Sequence, residues 1–181
     1  MAEATDMNLR NFRLWIRDPV CRLLKQKDAG FALAMISFPV LERLLRGKSG
    51  VSDNPLRGDY SEPFYTALTN CFPSLQDPPS GTFRHVAQLF WQGFRNGILH
   101  QATFSKNPIM KGKERAAFCV FEPGAGIAIE VRDLKRVIVV DPFPFSESVL
   151  ELIEEDFDSY EKADYDHHDL AFQVGSRIVS I

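Results

Sequence analysis

The sequence predicts a mainly helical α+β chain: an antiparallel helical bundle with a small antiparallel β-meander inserted before a late helix. Three observations carry that reading. Apolar residues recur at helical spacing through much of residues 8–99, the pattern becomes strand-like over about 117–140, and helical spacing returns over about 147–162. At 181 residues, with a hydrophobic share of 45% and 15 Phe, the chain can bury one substantial core without disulfides or metals.

Taken in order, Asn8 to Ile16 has helical spacing. Asp18 is expected to cap a second helix, with Pro19 at its first position, running to Lys27. Phe31 to Arg46 places Phe38, Leu41, Leu44 and Leu45 on a common side, with Pro39 a site for a kink and Gly47 the expected terminator. Residues 48–59 carry loop chemistry, and a short helix is expected from Glu62 to Phe72. Thr82 to Leu99 is the strongest helical pattern, because Phe83, Val86, Phe90, Phe94 and Ile98 form one apolar stripe.

Ala117 to Phe121, Ile127 to Val131 and Arg136 to Val140 are rich in β-branched and aromatic residues. Pro123-Gly124-Ala125-Gly126 and Asp133-Leu134-Lys135 separate them, which suits hairpin turns and an antiparallel meander. After Asp141-Pro142, Ser148 to Glu151 reads as a capping box, opening a helix with Val149, Ile153, Phe157 and Tyr160 on one side.

Cys21, Cys71 and Cys119 are odd in number and far apart, without zinc-site spacing, so they are expected to be reduced and buried. Glu3 and Asp6 stand where a signal peptide would carry positive charge, and the longest apolar run, Phe31 to Val40, is too short to span a bilayer. A cytoplasmic protein with no membrane partner is the expectation. The net charge of −3 hides an asymmetry: residues 1–120 hold 16 Lys and Arg against 10 Asp and Glu, and residues 121–181 hold 5 against 14. From Pro78 to Lys113 there is no carboxylate, although Arg84, Arg95, Lys106, Lys111 and Lys113 fall there. An anionic ligand meets no local repulsion in that segment. The acidic C-terminal part reads first as a solvated outer helix face.

On a helical wheel, Arg84, His85, Gln88, Gln92, Arg95, Asn96 and His100 share one sector opposite the Phe stripe. That face holds donors and imidazoles but no carboxylate to bind a metal or pair with an arginine, so it suits phosphate better than a metal ion. A guanidinium fork matches two phosphate oxygens, and histidine passes protons near neutral pH. The plain alternative is an ordinary solvated face. Arg95 and His100, five residues apart, point roughly 140° from one another on a regular helix. They meet only through a bend, for which Gly97 is placed, through a long arginine reach, or across two subunits.

The stretch Phe94-Arg95-Asn96-Gly97-Ile98-Leu99-His100-Gln101 resembles the signature of the HEPN superfamily, an arginine followed after four to six residues by histidine, with a polar residue directly after the arginine. The local match covers about eight residues, and the order of helices resembles the family loosely across the chain. The resemblance implies a single HEPN-like domain over residues 1–181, and a homodimer that brings two copies of the motif to one cleft. It also implies a metal-independent endoribonuclease without cofactors, in which the RNA 2′-hydroxyl attacks its own phosphate. His100 would move protons, Arg95 would stabilise developing charge, and Asn96 would position one of these groups or the phosphate. Arg84, Gln92, Lys111 and Lys113 would bind phosphate. The alternative implied by the same family is a non-catalytic module that binds a nucleotide, RNA or a protein partner, an antitoxin-like protein among them, and a third reading is a purely structural dimer in which the Arg95 and His100 cluster is buried and satisfied.

Other groupings are weaker. Adjacent histidines in Asp166-His167-His168-Asp169 diverge on helix or strand and lack ligand spacing. Ser37, Ser105 and Ser146 lack the setting of an activated nucleophile.

Overall fold

The computed structural model describes residues 8–50, 62–77, 86–96, 118–124, 126–132 and 135–163. Within them the protein is mainly helical with one three-stranded sheet. Residues 8–23 form one continuous helix, α1, which is π-helical at Arg13–Arg17 and α-helical again at Asp18–Leu23. Asp18 is therefore not the expected N-cap. Its backbone is itself helical (φ −65°, ψ −39°), and its N–H donates to the Arg13 carbonyl five residues back. Pro19 supplies the reason: a proline ring collides with the carbonyl four residues earlier in a regular α-helix, and the wider π turn before it removes that collision.

Helix α2, Gly30–Ser49, is the centre of the bundle and packs against α3 (Glu62–Cys71), α5 (Pro142–Glu155) and α6 (Phe157–Lys162). Pro39 lies inside it without ending it. Gly47 does not terminate it either. The terminator is Gly50, whose left-handed backbone (φ 64°) lets its N–H reach the Arg46 carbonyl. Gly47 instead meets α6, where a Cβ would land on the Ser159 carbonyl.

Val86–Phe90 is α-helical and Trp91–Asn96 continues it as a π-helix; together they form α4. Val86, Phe90 and Phe94 are fully buried, as the apolar stripe predicts, and Trp91 is buried with them. Phe38 of α2 sits among Phe90, Trp91, Phe94 and Phe145, with ring centroids 4.9–6.2 Å apart. The many phenylalanines thus fill one aromatic core between α2, α4 and α5, where ring area and tilted contacts act together.

The sheet is not a meander. Strands β1 (Phe118–Phe121), β2 (Ile127–Arg132) and β3 (Lys135–Val140) lie in the order β1-β3-β2, with β1 parallel and β2 antiparallel to β3. Residues Asp133 and Leu134 do separate an antiparallel pair, Arg132 facing Lys135. The Pro123 to Gly126 segment is not a hairpin turn: it crosses the end of β3, since Phe121 and Ile127 both pair with Val140. Asp141 holds the crossing, its carboxylate accepting from the Gly124 N–H (2.7 Å) and its own N–H donating to the Gly126 carbonyl (2.7 Å). Val137 to Val140 are all buried, so β3 is covered on both faces, which alternation alone would not permit.

Asp141 also caps α5, accepting from the Phe143 N–H at 3.0 Å, with Pro142 at the first helical position. The helix therefore opens before the Ser148 capping box, and Ser148 is an interior, half-buried residue. The stripe of Val149, Ile153, Phe157 and Tyr160 is split between α5 and α6 by Asp156. Tyr160 packs on Phe12, carries the Arg43 guanidinium 4.8 Å above its ring, and burial pushes its phenol up to about 12. The acidic side chains of α5, Glu147, Glu151, Glu154 and Glu155, are exposed as a solvated face requires.

Asp156 accepts from Lys48 Nζ and from the Ser159 N–H, capping α6, and these bonds hold its carboxyl below the usual range. A depressed carboxylate stabilises the fold above its unfolded pKa of ~3.9, and that contribution is lost as pH falls through the lower folded value. Urea midpoints measured from pH 6 down to pH 2 should therefore fall more steeply for the wild type than for Asp156→Asn, with the two curves converging in acid.

Candidate functional site

Only part of the predicted polar face lies within the described residues. Arg84, His85, His100, Lys111 and Lys113 fall outside them, and for Asn96 only the backbone, the last residue of the π segment, is described. Gln88 and Gln92 are half-buried, as members of a polar side should be. Arg95 is not on that side. It is 7% exposed, and its guanidinium meets Glu42 of α2: Nε donates to Oε2 at 3.0 Å and the terminal Nη2 lies 3.0 Å from the same oxygen.

The reason is the π turn. A wheel drawn at the α-helical angle assigns Arg95 to the outer sector, but the Trp91–Asn96 segment turns less per residue, so the positions after Trp91 drift around the axis. Arg95 thereby arrives beside Phe94 on the inner side, facing α2.

Glu42 is shared. Its Oε1 accepts from Arg46, one turn further along α2, at 2.9 Å from Nη2 and 3.2 Å from Nε. Glu42, Arg46 and Arg95 are all buried, at 4%, 5% and 7% exposure. One carboxylate thus bridges two guanidiniums from two helices, each oxygen serving one arginine. Buried charges are retained where paired and hydrogen-bonded; the polar face itself offers no carboxylate, and the partner of Arg95 is supplied by α2. The carboxylate belongs to a neighbouring helix, outside the acid-free Pro78 to Lys113 segment. A signal for it was present: Glu42 and Arg46 are i,i+4 partners within a helix otherwise apolar over Phe31 to Leu45 apart from Arg43 and Ser37.

Chemically, the triad is an arrangement for joining α2 to α4. A phosphate oxygen would have to reach a nearly closed guanidinium and displace a carboxylate from it. Among the described residues the cysteines and the two buried serines are not set as activated nucleophiles. Cys21 and Cys71 are free thiols, half-buried rather than fully buried, and burial pushes the Cys71 thiol up, away from the thiolate form. Ser37 and Ser146 spend their hydroxyls on one another at 2.8 Å. Among the described residues no group of three or more His, Cys, Asp and Glu side chains is placed to hold a metal ion. The Asp166 to Asp169 run, Cys119's side chain and Ser105 lie outside them.

An open groove of about 580 Å³ lies elsewhere, between the turn after α1 and the start of α5. Phe31, Phe121, Pro123 and Phe143 wall it, Lys25, Lys27 and Asp28 stand along it, and no candidate site residue lines it. No helix among the described residues is long and apolar enough to cross a membrane.

The chain matches no protein-family model, and neither a curated protein nor a solved structure shows significant similarity to it.

Proposed function

We propose that this chain is a HEPN-like module that binds RNA without cleaving it, with Arg95 serving as an internal tie between helices. The observation that carries this reading is the commitment of the Arg95 guanidinium to Glu42 inside the bundle. General acid–base cleavage of RNA needs a cation presented where charge develops on the phosphate, and a donor already satisfied by a buried carboxylate is poorly disposed for that task. Anion binding is supported separately by charge: the Pro78 to Lys113 segment carries five cations and no carboxylate. Metal-independent cleavage through Arg95, Asn96 and His100, in a homodimer, is the competing reading.

The test is incubation with a mixed RNA pool in EDTA, read both by gel and by filter retention. The module reading expects full-length RNA that is retained, with affinity falling steeply as salt rises, by a slope of about 0.7 per phosphate contact. Neutralising Lys111 and Lys113 should weaken retention. Shortened RNA bearing cyclic phosphate ends, with cleavage abolished by His100→Ala, would instead establish the nuclease.

A further inference from the structure

We propose that the outward side of α1, built on Trp15 with Arg10, Arg13 and Arg22, is a docking surface for single-stranded RNA. This deepens the RNA-binding reading above and rests on it. Trp15 is 60% exposed and Leu14 57%, whereas the other tryptophan, Trp91, is fully buried. An indole left in water at that level costs solvation without contributing to the core, which is filled from the opposite side of α1 by Phe12 and Val20.

The charge around the indole selects the ligand. Residues 8–27 carry Arg10, Arg13, Arg17, Arg22, Lys25 and Lys27 against a single carboxylate, Asp18. Arg17 is already engaged, with Glu154 at 2.6 Å and Asp18 at 3.7 Å. Arg10, Arg13 and Arg22 are exposed, and no ion pair engages them among the described residues. Seven residues, about two turns, bring Arg22 back to the side of α1 that carries Trp15, whereas Arg10 and Arg13 lie on the other flank of the exposed side, beyond Leu14, so the cations spread over roughly 18 Å of helix. A planar ring with one guanidinium on its own side and two more across the exposed side matches a polyanion that also offers planar faces: bases stack on the indole while the sugar–phosphate chain reaches the arginines. An anionic bilayer fits less well. A helix that lies in a membrane interface needs an apolar face along its length, and here the outward apolar residues are the single pair Leu14 and Trp15.

The experiment uses the full chain and a 12-nucleotide oligouridylate, with acrylamide quenching of tryptophan fluorescence as the direct readout. Because Trp91 is buried, quenching reports Trp15, and bound RNA should protect it. Trp15→Ala should weaken binding by roughly tenfold or more, in line with the loss of a stacking platform. Arg22→Gln should lower the salt slope by about one contact, while Arg17→Gln, its partner being Glu154, should leave the slope unchanged. Unaltered melting curves would show that these surface variants fold. If the RNA binds with the same affinity to Trp15→Ala and Arg22→Gln, this surface is overturned while the RNA-binding reading stands. If no RNA binds at all, both fall. Trp15-dependent binding to phosphatidylserine vesicles in place of RNA, or Trp15 protection that grows with protein concentration alone, would likewise overturn the proposal, assigning the surface to a membrane or to a second copy.

Discussion

Replacing Glu42 by alanine is expected to cost about 3–5 kcal/mol of folding stability, the range for removing one partner of a buried ion pair. For a chain of this size that is a fall of roughly 6–20 °C in Tm, at 2–4 °C per kcal/mol. The size follows from sharing: both oxygens of Glu42 are used, one by Arg46 and one by Arg95, at 2.9–3.2 Å, with all three groups nearly sealed from water. The variant keeps two guanidiniums in a site that loses their common carboxylate. Adding Arg95→Met to Glu42→Ala should therefore recover part of the loss, because the second change removes a cation that has lost its carboxylate partner. Chemical denaturation of the four members of that cycle measures the coupling directly. A Glu42→Ala variant with wild-type stability, or a double variant no more stable than the single, would mean that Arg95 is held by something other than this carboxylate. The same cycle bears on function. If Arg95 is a tie, RNA retention by the folded Arg95→Met protein stays near the wild-type value; if Arg95 touches phosphate, retention drops while stability changes little.

Much of the helical frame was legible because long amphipathic periods survive local irregularity. The stripe of Val86, Phe90 and Phe94 and the centre of α2 are where their spacing puts them. What misled is equally specific. Two π turns, at Arg13–Arg17 and Trp91–Asn96, each insert a residue that no propensity signals, and each one changes which side chains face outward. The first turned an expected cap at Asp18 into helix interior. The second carried Arg95 from a polar sector into the core. The sheet was misread for another reason: strand character is local, but the order β1-β3-β2 depends on Asp141 pinning the crossing at Gly124 and Gly126, a contact between residues 15 to 17 positions apart. Of the candidate site, residue chemistry set Arg95 among seven members of a polar face and the HEPN-like motif singled it out; its partner sits 53 positions earlier, on a helix whose own charges are hidden among Leu, Phe and Val.

Gly47 separates a terminator from a contact point, and the second large effect follows from it. A glycine near the end of a helical period reads as a stop signal, yet α2 runs on through Ser49 and turns at Gly50. At Gly47 a methyl group would occupy the place of the Ser159 carbonyl, which is backbone and cannot rotate aside as a side chain would. Gly47→Ala must therefore push α6 off α2, disturbing the Arg43 contact to Tyr160 and the Lys48 contact to Asp156 that flank the crossing. The expected loss is at least about 3 kcal/mol, the upper part of the overpacking range. Gly50→Ala is the control: nothing lies near its missing Cβ, so only its left-handed backbone (φ 64°) opposes the change, at about 1–2 kcal/mol. Hydrogen exchange should locate the difference, with amides of residues 157–163 losing protection in Gly47→Ala and keeping it in Gly50→Ala. Equal, small losses in the two variants would show that α6 can leave its seat on α2 at little cost, and that the glycine at 47 serves no close approach.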